Sequence, residues 1–213
     1  QAYDPAFAYE LATVIKQGLR RMYGQPDAPD GLGDSVFYYL ATYNELYWLL
    51  DSAEQAAVLT AGPDDFDGDV GSWGLALAQI YAAWGDRARA AAYADSARAG
   101  FAEQLEAVPG DAQSLALHAL SLAYMGRTAE AVREGERAVE LLPVSGNATF
   151  GIYLQELLAR IYTMAGKPAE AVERLEVVVT MPSSLSRDRL RIDPHFAALR
   201  IHPDFRKLVE GGR

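Results

Sequence analysis

Apolar positions along the chain recur at helical spacing over most of its length. From Asp4 to Tyr23, the side chains of Phe7, Leu11, Val14, Ile15, Leu19 and Met22 share one helical face. Asp4 is placed as N-cap, Pro5 as the first helical residue and Gly24 as the stop, so a helix is predicted there. GQPDAPDGLG, residues 24–33, consists of turn formers and reads as a linker. SVFYYLATYNELYWLL, residues 35–50, reads two ways. VFYYLATY is rich in strand formers, whereas the length of the stretch and the leucines of NELYWLL favour helix, which is the reading taken. DSAEQAAVLTA, residues 51–61, predicts a short helix capped at Asp51 or Ser52, with Glu54 set for a capping box. The acidic PDDFDGD, residues 63–69, reads as a loop.

From that loop onward the pattern repeats. IYAAWGDRARA, LAYMGRTAEA and IYTMAGKPAEA share an apolar helix end, a glycine (Gly85, Gly126, Gly166), four residues, and an alanine (Ala90, Ala131, Ala171). The glycines are separated by steps of 41 and 40 residues, and self-similarity at such a period marks a repeat architecture. Each unit reads as a helical hairpin whose glycine supplies the left-handed turn ending the first helix. A small residue, Ala78, Ala119 or Ala159, sits seven positions before each glycine. In the middle copy Ala131, Gly135 and Ala138 line one helix face where leucine would be expected. Small side chains there let helices approach more closely than the usual 8–10 Å, so these positions are predicted contact points. The expected fold is all-α: a helical-hairpin solenoid of about three repeats over residues 63–182. An N-terminal helical segment, 1–62, precedes it and a C-terminal capping segment, 183–213, follows.

Composition narrows the function classes. Nineteen basic residues against 29 acidic ones give a formal charge of −10, which repels phosphate backbones and anionic lipids and weighs against nucleic-acid and membrane binding. With no cysteine, disulfides, thiolate metal sites and cysteine nucleophiles are excluded. No apolar run approaches the roughly 20 residues that span a bilayer, and the opening QAYDPAFAYE carries acids where a signal peptide has a basic region. A cytoplasmic setting is the expectation. A first residue that is not methionine suits a piece of something longer.

Candidate chemistry is sparse. Of the three histidines, His118 lies inside a repeat helix beside Ala119 and is expected to pack there. His195 and His202 fall in DPHFAALRIHPDF, two near-identical turns each opened by proline, with Phe196, Leu199, Phe205 and Leu208 expected to point inward as the cap a solenoid needs. Asp64, Asp65, Asp67 and Asp69 suggest calcium, but in the register from Asp65 the sixth position is Val70 and the twelfth Ala76. A solvated loop, with Asp69 capping the next helix, is the better reading. NAT, residues 147–149, matches a glycosylation acceptor but reads as a plain loop. Glu134, Glu136 and Glu140 are spread along a helix as solvated charges. No catalytic residue, metal site or cofactor is expected.

The repeat resembles the tetratricopeptide (TPR) family. Leu115, Ala119, Leu122, Gly126, Ala131, Ala138 and Pro143 fill its pattern in the middle copy. Gln155, Leu158, Ala159, Tyr162, Gly166, Ala171, Leu175 and Pro182 fill most of it in the last. Leu77, Ala78, Tyr81, Gly85, Ala90 and Ala97 fit in the first, whose second helix runs on through FAEQLEAV to Pro109 and departs from the usual length. FDGDVGSWGLALAQIYAAWGD, AYADSARAGFAEQL, REGERAVELLPVS and LRIDPHFAALRIHPDFRKLV also resemble the C-terminal repeat region that follows bacterial serine/threonine kinase or cyclase-type signalling modules, over about residues 48–213. That resemblance implies a regulatory or scaffolding role.

AYDPAFAYELATVIKQGLRRMYG with DSVFYYLATYNELY, about residues 2–47, is similar to a stretch of the homodimeric pyruvate dehydrogenase E1 component, a thiamine-diphosphate enzyme. The GDG that starts that superfamily's diphosphate and magnesium motif is absent, so no activity is carried over. Two resemblances in one chain suit a fusion, a designed sequence or coincidence in the shorter match.

The functional expectation is a non-catalytic scaffold that binds a peptide or protein segment in a concave groove. In TPR repeats the first helices line the groove, which here projects to Gln79, Leu120, Tyr124, Tyr153, Glu156, Arg160 and Met164. The set lacks the lysine and asparagine clamp of chaperone-binding repeats, which argues against a terminal carboxylate as ligand. Packing of this row against the N-terminal helices is the plain alternative. The rival readings are a fragment or subunit related to the thiamine-dependent dehydrogenase, and a structural module that forms homo-oligomers through FYYLATYNELYW.

Overall fold

The computed structural model describes residues 59–181 and 185–211. The chain divides into two units, Gln1–Asn44 and Glu45–Arg213, and every described residue belongs to the second. The expected helix at 4–23, the ambiguous stretch at 35–50, the short helix at 51–61 except for its last residues, and Pro182 lie outside the described residues. Among those described, every element is helical: a short 3-10 turn (Pro63–Phe66), then α1 (Val70–Ala83), α2 (Arg87–Ala107), α3 (Ala112–Tyr124), α4 (Thr128–Leu141), α5 (Ala148–Met164), α6 (Pro168–Thr180) and α7 (Arg187–Ile192). A second 3-10 turn (Pro194–Ile201) and α8 (Pro203–Glu210) complete the order.

The helices pair in sequence order. α1 packs on α2, α3 on α4 and α5 on α6, while α2 to α3 and α4 to α5 join one hairpin to the next, and α3 also touches α5. Each hairpin turns by the same hydrogen bonds. The amide of Gly85 donates to Ala82 O and that of Asp86 to Tyr81 O; Gly126 and Arg127 donate to Ala123 O and Leu122 O; Gly166 and Lys167 donate to Thr163 O and Tyr162 O. This is the Schellman arrangement, which requires a left-handed residue at its centre, and the three glycines have φ of 80°, 80° and 71°. Asp69, Asp86, Asp111 and Asn147 cap the helices that follow them, each accepting a backbone N–H with its side-chain oxygen.

The small residues sit where the sequence places them. Ala78, Ala119, Ala131, Ala138, Ala159 and Ala171 are fully buried. A methyl group added to Gly135 would lie 3.0 Å from both Ile161 Cδ1 and Leu158 Cδ1 of the next hairpin. The first hairpin closes more tightly still. A methyl on Gly74 would meet the Ala97 amide nitrogen at 2.7 Å, and one on Gly100 would meet Gly71 Cα at 2.9 Å. There the backbones of α1 and α2 themselves touch.

The 21-residue α2 exceeds its counterparts α4 and α6, with 14 and 13 residues, as the run of apolar positions toward Pro109 predicts. Its extra turns carry Gln104. The Gln104 amide donates to Asp69 Oδ1 at 3.0 Å and its oxygen accepts Ser114 Oγ at 2.9 Å, tying the capped start of α1 to that of α3.

The C-terminal segment closes the last hairpin with a nine-residue repeat. Leu190 and Leu199, Arg191 and Arg200, Ile192 and Ile201, Pro194 and Pro203, and Phe196 and Phe205 occupy matching places. Leu190, Phe196, Leu199, Phe205 and Leu208 are buried in one cluster with Leu158, Val172, Leu175 and Val178, so the expected inward face is the observed one.

If close approach holds the hairpins together, Gly100→Ala and Ala131→Leu should each lower unfolding stability by about 1–3 kcal/mol through overpacking. Ala129→Leu, at an exposed position of α4, should stay within about 0.5 kcal/mol of the parent. Chemical denaturation of the three variants checks this, and equal tolerance would refute the contacts.

Candidate functional site

The row projected from the first helices of the hairpins is mostly covered. Leu120 is fully buried, and Gln79, Tyr153, Glu156 and Arg160 are buried as well. Tyr124 is half-buried, while Met164 is exposed beside the Gly166 turn. The row therefore presents side chains to solvent only at its Tyr124 and Met164 ends.

Within the buried part lies a charged cluster. Glu156 and Arg160 are one helical turn apart on α5, and the guanidinium donates to Glu156 Oε1 at 2.6 Å. Two unpaired charges in such a place would each cost several kcal/mol, so the pair is the condition of their burial. The cap adds Asp193 and His195. Asp193 Oδ1 accepts the His195 backbone N–H at 2.8 Å and meets His195 Nδ1 at 2.9 Å, at the start of the 3-10 turn that packs on α5.

Charge couples the two halves. Burial pushes the Asp193 carboxyl up, but the hydrogen bond and charge of His195, together with Arg160, hold it below the ordinary carboxylate range. Burial and then Arg160 hold the His195 imidazole below the ordinary histidine value, against the pull of Asp193 and Glu156. Chemically this is an electrostatic joint between the last hairpin and the segment that follows it.

Other titratable groups pair between neighbouring helices. His118 Nδ1 meets Glu134 Oε2 at 2.6 Å across the middle hairpin, in keeping with its expected packed role. Tyr162 donates to Glu136 Oε1 at 2.7 Å, from one hairpin to the one before it, and burial followed by this bond pushes the phenol pKa upward. Glu136 is exposed, as the solvated reading expects, and also accepts this bond; Glu134 is half-buried against His118. Asp69 caps α1 through Ser72, as expected. No group of three or more histidine, aspartate or glutamate side chains suited to a metal ion occurs among the described residues. No helix among them is long and apolar enough to cross a membrane.

Set beside known proteins, the all-helical hairpin array finds no matching family profile and no matching solved structure. A short segment does match curated proteins. It is 50% identical over 48 residues to the pyruvate dehydrogenase E1 component of Buchnera aphidicola subsp. Schizaphis graminum, covering 22% of this chain and 5% of that protein. Over 45 residues it is 53% identical to the corresponding component of Mycolicibacterium smegmatis (21% of this chain, 4% of that one), and over 46 residues 46% identical to that of Escherichia coli (22% and 4%). The chain spans about a twentieth of the length of these relatives.

Asp193 escaped sequence reasoning, although the mirrored triplets Asp-Pro-His and His-Pro-Asp at 193–195 and 202–204 were its signal. Glu156 and Arg160 stand one helical turn apart in the sequence, but nothing local marks them as each other's partner.

Acid should loosen this joint. A histidine and a carboxylate whose folded pKa values are both lowered contribute stability that is complete above their unfolded values and is lost as pH falls through the folded ones. The loss should begin below about pH 6.5 through His195 and continue below about pH 3.8 through Asp193. NMR titration should place the His195 midpoint under 6.5, and His195→Gln should remove the upper limb from melting curves recorded against pH. A midpoint at or above the ordinary value would contradict the cluster.

Proposed function

We propose that the chain is a non-catalytic, TPR-like interaction scaffold: a helical-hairpin solenoid that holds a peptide or protein segment against the first helices of its repeats. The observation that carries this reading is the threefold recurrence of one device, a Schellman glycine followed five residues later by a buried alanine, at steps of 41 and 40 residues. Such tiling builds an extended platform from nearest-neighbour contacts, and a platform of this kind acts through what it displays. Of the projected row, Tyr124 and Met164 are accessible, and both stand at hairpin ends. A bound segment would use them as apolar and aromatic anchors. Gln79, Leu120, Tyr153, Glu156 and Arg160 form the packed floor beneath.

Selection from a displayed peptide library against the full chain, followed by NMR mapping, tests the scaffold. Perturbations are expected around Tyr124 and Met164, with Tyr124→Ala combined with Met164→Ala weakening binding at least about tenfold. Perturbations confined to the exposed faces of α2, α4 and α6, with unchanged affinity in the double variant, would overturn the assignment.

The short match to pyruvate dehydrogenase E1 components supports a second reading, a fragment or subunit related to a thiamine-diphosphate enzyme. It ranks lower because the match spans only 4–5% of those proteins and the GDG element is missing from the sequence. Calorimetric titration with thiamine diphosphate and magnesium should give no saturable heat; a saturable isotherm would reverse the order.

A further inference from the structure

The C-terminal segment carries a charge opposite to the rest of the chain. Residues 185–211 hold six basic against four acidic side chains, a net of +2, whereas residues 59–181 hold nine against seventeen, a net of −8. On this basic element the nine-residue repeat exposes one isoleucine per copy: Ile192 is 63% and Ile201 80% accessible. Their counterparts in the repeat, Phe196 and Phe205 or Leu190 and Leu199, face inward, so the two isoleucines form the outward apolar register of the same pattern.

Two arginines tie the copies of the repeat together through backbone carbonyls. Arg200, the neighbour of Ile201, donates to Ile192 O at 3.0 Å and to Asp193 O at 3.2 Å. Arg206 donates through Nε to Arg200 O at 2.9 Å. Each guanidinium is therefore oriented by a backbone carbonyl while remaining exposed, and neither has a carboxylate partner among the described residues. Nearby, Arg191 is paired with Asp188 at 3.3 Å and Lys207 with Asp204 at 2.8 Å. Among the described residues, Arg200 and Arg206 carry no carboxylate partner on the segment that exposes the two isoleucines.

We propose that this patch is a docking point for an acidic amphipathic helix of a partner protein, whose apolar side chains cover Ile192 and Ile201 while its carboxylates pair with Arg200 and Arg206. The charge of the patch selects the sign of the partner, and preoriented guanidinia suit bidentate pairing with carboxylates. A patch of two isoleucines and two arginines has the dimensions of a hot spot, not of the area of roughly 800 Å² per partner that a stable dimer buries. An anionic bilayer would also meet the field of a chain with a formal net charge of −10, whereas a single helix contacts the patch alone. This surface is separate from the Tyr124 and Met164 row, so it stands or falls independently of the groove reading.

The test titrates the full chain with a synthetic helix of about five turns carrying leucines at i and i+4 between glutamates, followed by NMR shifts. A second helix with glutamine at every glutamate position and vesicles rich in phosphatidylserine form the other arms. Shifts should centre on Ile192, Ile201 and Arg200, and affinity should fall about tenfold in Ile201→Asp and again in Arg200→Gln with Arg206→Gln. Raising salt should weaken binding, the glutamine helix should not bind, and Tyr124→Ala with Met164→Ala should leave affinity unchanged. Ile201→Asp alters a solvent-facing side chain, so its melting temperature should match the parent and keep the comparison valid. No binding, shifts elsewhere, indifference to Ile201→Asp, or equal binding of the glutamine helix would each overturn the proposal. Vesicle binding without helix binding would overturn it in favour of a lipid surface.

Discussion

The structure depends on how near two helix backbones can come. Ordinary side chains hold helix axes some 8–10 Å apart; glycine and alanine remove that spacer and fix both distance and register at the crossing. At Gly74 and Gly100 the neighbouring atoms leave no room even for a methyl group. At Ala131, Gly135 and Ala138 the same helix is pressed both by its own hairpin and by the next one, and Gly135 faces Leu158 and Ile161. Replacing a small residue at such a crossing shifts a whole helix, so the interface specifies one arrangement where a leucine-rich face would tolerate several.

Polar chemistry then fastens what the small residues position. The three Schellman turns return each chain direction with the same hydrogen bonds, and Gln104 bridges the starts of α1 and α3 because α2 is long enough to carry it there. Tyr162 and Glu136 link consecutive hairpins. Where the array ends, the exposed side of the last hairpin is covered by short proline-opened turns, and a buried set of charges, Glu156, Arg160, Asp193 and His195, joins the two. Such sets contribute less to net stability than to geometry, since their mutual attraction mainly offsets the cost of removing them from water. The joint responds to pH through His195 and Asp193.

The repeat was legible because three glycines and three alanines keep one spacing, and a left-handed turn admits few other residues. The cap was legible for a similar reason: Pro194 and Pro203 restart the chain, and Phe196 and Phe205 fall on the same side of consecutive turns. What could not be read was the identity of the neighbour. Helical spacing assigned Glu156 and Arg160 to a face, but whether that face meets solvent or protein depends on elements far away in sequence. The same holds for Glu134, whose partner His118 lies 16 residues distant. Gly74 and Gly100 are glycines inside helices, where local propensity counts against them by about 1 kcal/mol; their use appears only once the opposing backbone is in place.

The measurement closest to the central claim is the set of nuclear Overhauser contacts made by Gly135. Its α protons should show strong cross-peaks to the δ methyls of Leu158 and Ile161, with the methyls of Ala131 and Ala138 shielded from water. Absence of those interhelical cross-peaks, accompanied by water contacts at the alanine methyls, would mean that the hairpins do not meet at their small residues and that the account is wrong.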